Sequence, residues 1–66
     1  MSDTVTFYDC MVVASTERAL LVEMPDGEEV WFPRSQIVYG ETDIEHKNDV
    51  GTLEVTEWIA KAKGLR

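Results

Sequence analysis

Apolar residues recur at every second position from Thr4 to Ser15, with Val5, Phe7, Met11 and Val13 on one parity and Tyr8, Cys10, Val12 and Ala14 on the other. A period of two, rich in β-branched and aromatic types, predicts a long first strand. Both parities are apolar between Met11 and Ala14, so the strand is expected to bend and serve two sides of a closed barrel. Ser15, Thr16 and Glu17 read as a tight reversal, and Arg18 to Met24 as a second strand. Pro25-Asp26-Gly27 is a turn signal, because Asp bonds its own backbone and Gly accepts positive φ. Glu28 to Phe32 then returns as a third strand and completes a meander.

The pattern changes at Pro33, which has no N–H to give a ladder and so closes the third strand, while Ser35 suits a short helical turn over 33–36. Ile37 to Tyr39 and Ile44 to Glu45 read as a short strand interrupted by Gly40, residues 46–51 as an exposed loop, and Thr52 to Val55 as the last strand. Thr56 is an N-cap for a helix over about 56–63, with Glu57 at its positive end and Trp58, Ile59 and Ala62 on one face. Gly64 and Leu65 fit a Schellman-type stop in which Leu65 packs back toward Ile59 or Ala60. These elements predict one mainly β domain over 1–66, a small five-stranded barrel of the Src-homology-3-like (SH3-like) kind with a C-terminal helix. An oligonucleotide-binding barrel ranks behind it, since that fold needs more residues and a helix within the strand order. Trp58 is expected to plug an open end of the barrel, or the helix to lie across an edge strand.

At 66 residues the chain has room for one core and no second lobe, so stability must come from dense use of its apolar positions. The longest apolar run, Met11 to Ala14, is far too short for a bilayer, and Met1 to Thr6 lacks the basic start and apolar stretch of a secretory signal. No membrane partner and a cytoplasmic setting are the expectations. The one cysteine, Cys10, excludes an internal disulfide and a multi-cysteine zinc site, and no cation adjoins it in sequence to activate it. Thirteen acids against six bases give a net charge of −7. Phosphate binding is driven by clustered Lys and Arg, so no direct nucleic-acid partner is expected. The charge is uneven: ten acids lie between Glu23 and Glu57 against only Arg34 and Lys47, while Lys61, Lys63 and Arg66 reverse the sign of the tail.

Candidate chemistry is sparse. His46, between Glu45 and Asp49, has no second His or Cys nearby and matches no calcium-loop spacing, which favours a solvated loop over a metal site. Ser15, Ser35 and His46 make a nucleophile and base only on paper, because no nucleophile-elbow sequence surrounds either serine. No glycine spacing cradles a phosphate. No enzyme activity, metal or cofactor is expected. Trp31 alternates with Val30 and Phe32 and is either covered by the terminal helix or an exposed anchor, and with Tyr8 and Tyr39 it is a candidate groove for polyproline. Arg34, beside it, is a candidate cation–π or interface residue. Glu41, Asp43 and Glu45 alternate, so an extended segment places three carboxylates on one side, either as a solubilising surface or as a comb of charge that imitates phosphates.

The strings Ala14-Ser15-Thr16-Glu17-Arg18-Ala19-Leu20-Leu21-Val22, Val30-Trp31-Phe32-Pro33-Arg34-Ser35-Gln36-Ile37 and Thr56-Glu57-Trp58-Ile59-Ala60 through Gly64-Leu65 resemble a group of short proteins encoded by bacteriophages and prophages. The resemblance covers residues 12 to 65 and carries no catalytic residue over, because the group has no assigned activity. It implies a phage accessory origin and action by binding a host protein. The expected function is therefore an acidic interaction module that binds, and inhibits, a host protein through Glu41, Asp43 and Glu45, with Trp31 and Arg34 as further contacts. The alternatives are a structural homo-oligomer pairing through the third strand or the Trp31 corner, and a single-strand nucleic-acid binder that stacks bases on Tyr8, Trp31 and Tyr39 with help from Lys61, Lys63 and Arg66.

Overall fold

The computed structural model describes residues 3–65. Strands β1 (Thr4–Ser15), β2 (Ala19–Glu23), β3 (Glu29–Pro33) and β4 (Val50–Thr56) form one antiparallel sheet in the order β3-β2-β1-β4. A single 3-10 turn, Arg34–Gln36, follows β3, and helix α1 (Glu57–Ala62) follows β4 without a linker.

β1 divides its pairing. Its first half, from Thr4, pairs with β4, and its second half, to Ser15, pairs with β2. Between the pairs Phe7 with Leu53 and Cys10 with Gly51, Tyr8 and Asp9 stand opposite one residue of β4, a bulge with Asp9 at φ 58°. Aspartate is among the few non-glycine types that accept this left-handed region. The extra residue exchanges the two parities. Val5 and Phe7 pack toward the core before the bulge, and Cys10 and Val12 are buried after it. This corrects the expectation that Val5, Phe7, Met11 and Val13 share one face throughout. A second irregularity falls at Val13, between the pairs Val12 with Val22 and Ala14 with Leu21.

The β2–β3 hairpin turns as its sequence predicts. Gly27 sits at φ 90°, its N–H donates to the Met24 carbonyl at 2.8 Å, and the Asp26 carboxylate accepts the Glu28 N–H at 3.0 Å. That is a hydrogen-bonded turn closed by a left-handed glycine.

The expected fifth strand does not form, and the sheet is open. Ile37 makes one antiparallel bridge to Val55, after which the chain to Asp49 holds no regular strand. The cause is a pinch at Gly40. The Glu41 N–H donates to the Val38 carbonyl at 3.2 Å, so both ends of this small loop meet the same residue of β4: the Val38 N–H donates to the Glu54 carbonyl at 2.9 Å, and Thr42 Oγ1 accepts the Glu54 N–H at 2.9 Å and donates to its carbonyl at 3.2 Å. The Asp43 N–H then donates to the Thr52 carbonyl at 2.9 Å. Residues 37–43 thus cover the outer edge of β4 without being a ladder. β4 itself starts two residues earlier than expected, at Val50.

Phe32, Leu20, Ile44, Leu53, Val12, Val22 and Val55 fill the core. Helix α1 opens with Thr56 Oγ1 accepting the Ile59 N–H at 3.3 Å and closes on a Schellman pair, Gly64 N–H to Lys61 carbonyl at 3.1 Å and Leu65 N–H to Ala60 carbonyl at 2.8 Å. Ile59 and Ala60 are buried against β4 and β1, with Leu65 packed beside them. Trp58 is 67% exposed and Ala62 is exposed as well, so Trp58 plugs nothing. The direct strand-to-helix junction fixes the phase of this short helix, and that phase turns Ile59 and Ala60 inward.

Gly51 marks a close approach of Asp43 to the sheet, since a Cβ there would lie 3.1 Å from Cβ of Asp43. Gly51→Ala is expected to force the Asp43 segment outward and cost about 1–3 kcal/mol, a fall of at least several degrees in Tm for a domain of this size. Thermal unfolding followed by circular dichroism reads it, and an unchanged Tm would show that the segment yields freely.

Candidate interaction surface

Glu41, Asp43 and Glu45 are all exposed, whereas Thr42 is half-buried and Ile44 fully buried. The alternation is real in three dimensions, although the segment is not a strand. Thr42 ties the chain to Glu54, Ile44 drops into the core, and the carboxylates between them turn outward. Sequence reasoning singled out the acids and missed the two anchors. The alternating Glu-Thr-Asp-Ile-Glu pattern held the signal for both.

The next loop is organised by Asp49. Its Oδ2 accepts the His46 N–H at 2.8 Å and the Glu45 N–H at 3.0 Å, and Nδ1 of His46 lies 3.8 Å away. These bonds stabilise the charged form, and they hold the Asp49 carboxyl below its ordinary value, the His46 N–H contributing most and the Glu45 N–H next. Asn48 completes the turn at φ 76°, and its N–H donates to the Val12 carbonyl at 2.8 Å. Asp49 is therefore a local cap. Among the described residues no group of three or more His, Cys, Asp or Glu side chains is placed to hold a metal ion.

Trp31 is 44% exposed on the outward parity of β3, opposite Leu21, while its neighbours Val30 and Phe32 are buried. Of its two readings, the covered one is corrected, because α1 packs on β4 and β1 at the other side of the sheet order. Arg34 is a corner brace. Its Nε donates to the Thr16 carbonyl at 2.9 Å and one terminal nitrogen to the Tyr39 hydroxyl at 3.0 Å, joining the β1–β2 turn to the chain after the 3-10 turn. Arg34 thereby brings Tyr39 to this corner. Tyr8, 66% exposed at the bulge, is not brought there: six residues separate it from Ala14, the β1 residue paired to Leu21 in the row of Trp31, or about 20 Å of strand at ~3.3 Å per residue.

Of the basic tail, Lys61 pairs with Glu57 at 3.1 Å and Lys63 is exposed at the end of α1, while Arg66 lies outside the described residues. Ser15 ends β1 opposite Leu20 and Ser35 lies in the 3-10 turn, both exposed. Cys10 is fully buried, and burial first, then the Asp9 charge, pushes its thiol up to about 11. Among the described residues, one depression open to solvent is lined by Gln36, Thr56, Trp58 and Lys61 among others, and another by Arg18, Pro33 and Arg34 with their neighbours. A feature not anticipated from sequence is the direct opposition of Glu23 and Glu29 across the β2–β3 hairpin. Like charges so placed repel.

No family model matches the chain, and no curated protein or solved structure matches it.

Two outcomes follow from these environments. Because the Asp49 carboxyl is depressed, its contribution to loop order is fully present above the ordinary aspartate value of ~3.9 and is lost as pH falls through the lower folded value. Amide exchange at Glu45 and His46, corrected for its intrinsic pH dependence, should accelerate across that acidic window and in Asp49→Ala at neutral pH, with little change in the core amides. The Cys10 thiol, buried and protonated, should resist alkylation in native buffer and react once the chain is unfolded in denaturant.

Proposed function

We propose that this chain is a small acidic interaction module of the phage accessory kind that binds, and inhibits, a host protein through Glu41, Asp43 and Glu45. The observation that carries the reading is the anchoring of this segment: Thr42 and Ile44 hold the backbone while the three carboxylates stand in water. A pre-positioned row of charge loses little conformational entropy on docking, and its field attracts a basic surface from a distance. A net charge of −7 over a domain this small adds to that attraction. The partner of matching chemistry is a host protein with a cationic channel or groove, of the type that handles nucleic acid, in which the carboxylates take the places of phosphates. The module is read as non-enzymatic, acting in the host cytoplasm with no cofactor.

With this goes a reading of the open sheet as a relative of the SH3-like barrel. The irregular β1, with a register shift against each of its two neighbours, and the Ile37 to Val55 bridge directly after the 3-10 turn support it. In this reading residues 37–43 stand where a fifth strand would run.

Charge reversal of Glu41, Asp43 and Glu45 to Lys is expected to abolish capture of the host partner from lysate, while circular dichroism and Tm change little because none of the three side chains is buried. In the unaltered protein, competing DNA and moderate salt should release the partner. Retained capture by the triple variant refutes the proposal.

A further inference from the structure

The two edges of the sheet are treated differently. The outer edge of β4 is covered by residues 37–43, whereas among the described residues β3 has a neighbour on one side only. An uncovered edge with a large apolar side chain at its centre is a template for another strand. Trp31 is that side chain.

The register states which backbone groups the edge offers. The Arg34 N–H donates to the Arg18 carbonyl and the Met24 N–H to the Glu28 carbonyl, both at 2.8 Å, at the two ends of the β2–β3 ladder. Hydrogen-bonded pairs alternate in an antiparallel ladder, so Val30 and Phe32 point their backbone groups to β2, and Glu29, Trp31 and Pro33 point theirs outward. The edge therefore has N–H donors at Glu29 and Trp31 and a carbonyl alone at Pro33.

The hairpin is also polarised in charge. Glu23, Asp26, Glu28 and Glu29 crowd its turn end, and Arg18 and Arg34 face each other at the opposite end. We propose that a second copy of this chain docks antiparallel on the β3 edge, with a twofold axis at Trp31. Each Trp31 N–H then meets the carbonyl of the partner's Trp31, and each Glu29 N–H meets the carbonyl of the partner's Pro33. The proline, which cannot donate, is needed only as an acceptor. Every outward N–H of the edge is satisfied, the acidic end of one hairpin lies beside the Arg18–Arg34 end of the other, and the Leu21–Trp31 stripe continues across the axis. A parallel arrangement sets acid on acid. An antiparallel one shifted two residues toward the turn draws the two acidic ends together. The carboxylates of 41–45 belong to the opposite side of the sheet order and stay free in this dimer.

Sedimentation equilibrium together with amide exchange tests the proposal. The mass should rise from 7.5 kDa toward twice that value as concentration increases. Over the same range the Glu29 and Trp31 amides should become protected, while Val30 and Phe32 are protected throughout. Glu29→Lys and Arg18→Glu should each weaken association about three- to fivefold, and an equimolar mixture of the two should recover it, with circular dichroism confirming that both remain folded. A mass constant at the monomer value overturns the proposal, as does a dimer whose Glu29 and Trp31 amides stay unprotected. Protection of those amides only on adding a lysine-rich peptide overturns it too, and assigns the edge to a foreign strand.

Discussion

β1 must hydrogen-bond two neighbours with its two halves and still direct both halves' apolar side chains into one core. A regular strand cannot do this with the residues present. With Phe7 inward, strict alternation would bring Asp9 and Met11 inward and expel Cys10 and Val12. The kink at Asp9 inserts one residue into the count, so the charge goes out and Cys10 and Val12 go in. A left-handed non-glycine residue costs on the order of 1 kcal/mol, while burying a Val-sized side chain is worth about 1.5–3 kcal/mol, so the exchange favours the bulge. At about 0.05–0.15 kcal/mol of stability per residue, a domain this small cannot forgo either half of the strand.

The same row of the sheet leads to the acidic segment. Cys10 stands opposite Gly51, and Gly51 is the residue against which Asp43 packs. Parity exchange in β1, the missing side chain in β4 and the lie of the carboxylates are thus three parts of one arrangement. Glu41, Asp43 and Glu45 repel one another only weakly because water surrounds them, and salt weakens that repulsion further. What holds them in place is neutral: one threonine bonded on both sides of Glu54, and one isoleucine in the core.

Local signals were legible in the sequence where the physics is local. Thr56 as cap, Gly64 and Leu65 as stop, Pro25-Asp26-Gly27 as turn and Pro33 as strand end act within a few residues of themselves, and each occupies the expected place. The alternation of Glu41, Asp43 and Glu45 was legible for the same reason. What was hidden depends on partners far along the chain. Asp9 looks like an ordinary polar position until β4 is counted against it. Thr42 finds Glu54 twelve residues later, and that contact turns a fifth strand into a pinched loop. Trp58 misled because a helix of six residues has too few turns for periodicity to define its inner face, which the junction at Thr56 decides.

Coverage of the two sheet edges completes this logic. The chain after β3 crosses to β4 and spends its hydrogen bonds there, leaving β3 bare. It has no length to do both: the 3-10 turn carries it away from β3 at once, and Arg34 locks that departure to Thr16 and Tyr39. An edge left open in this way is normally blunted by charge, shortness or proline. β3 has each of these at its ends, in Glu29 and Pro33 and a length of five residues, but not at its centre, where Trp31 stands. Charge placed only at the ends does not forbid pairing. It selects the one orientation in which opposite charges meet, which makes the bare edge of β3 a directional surface.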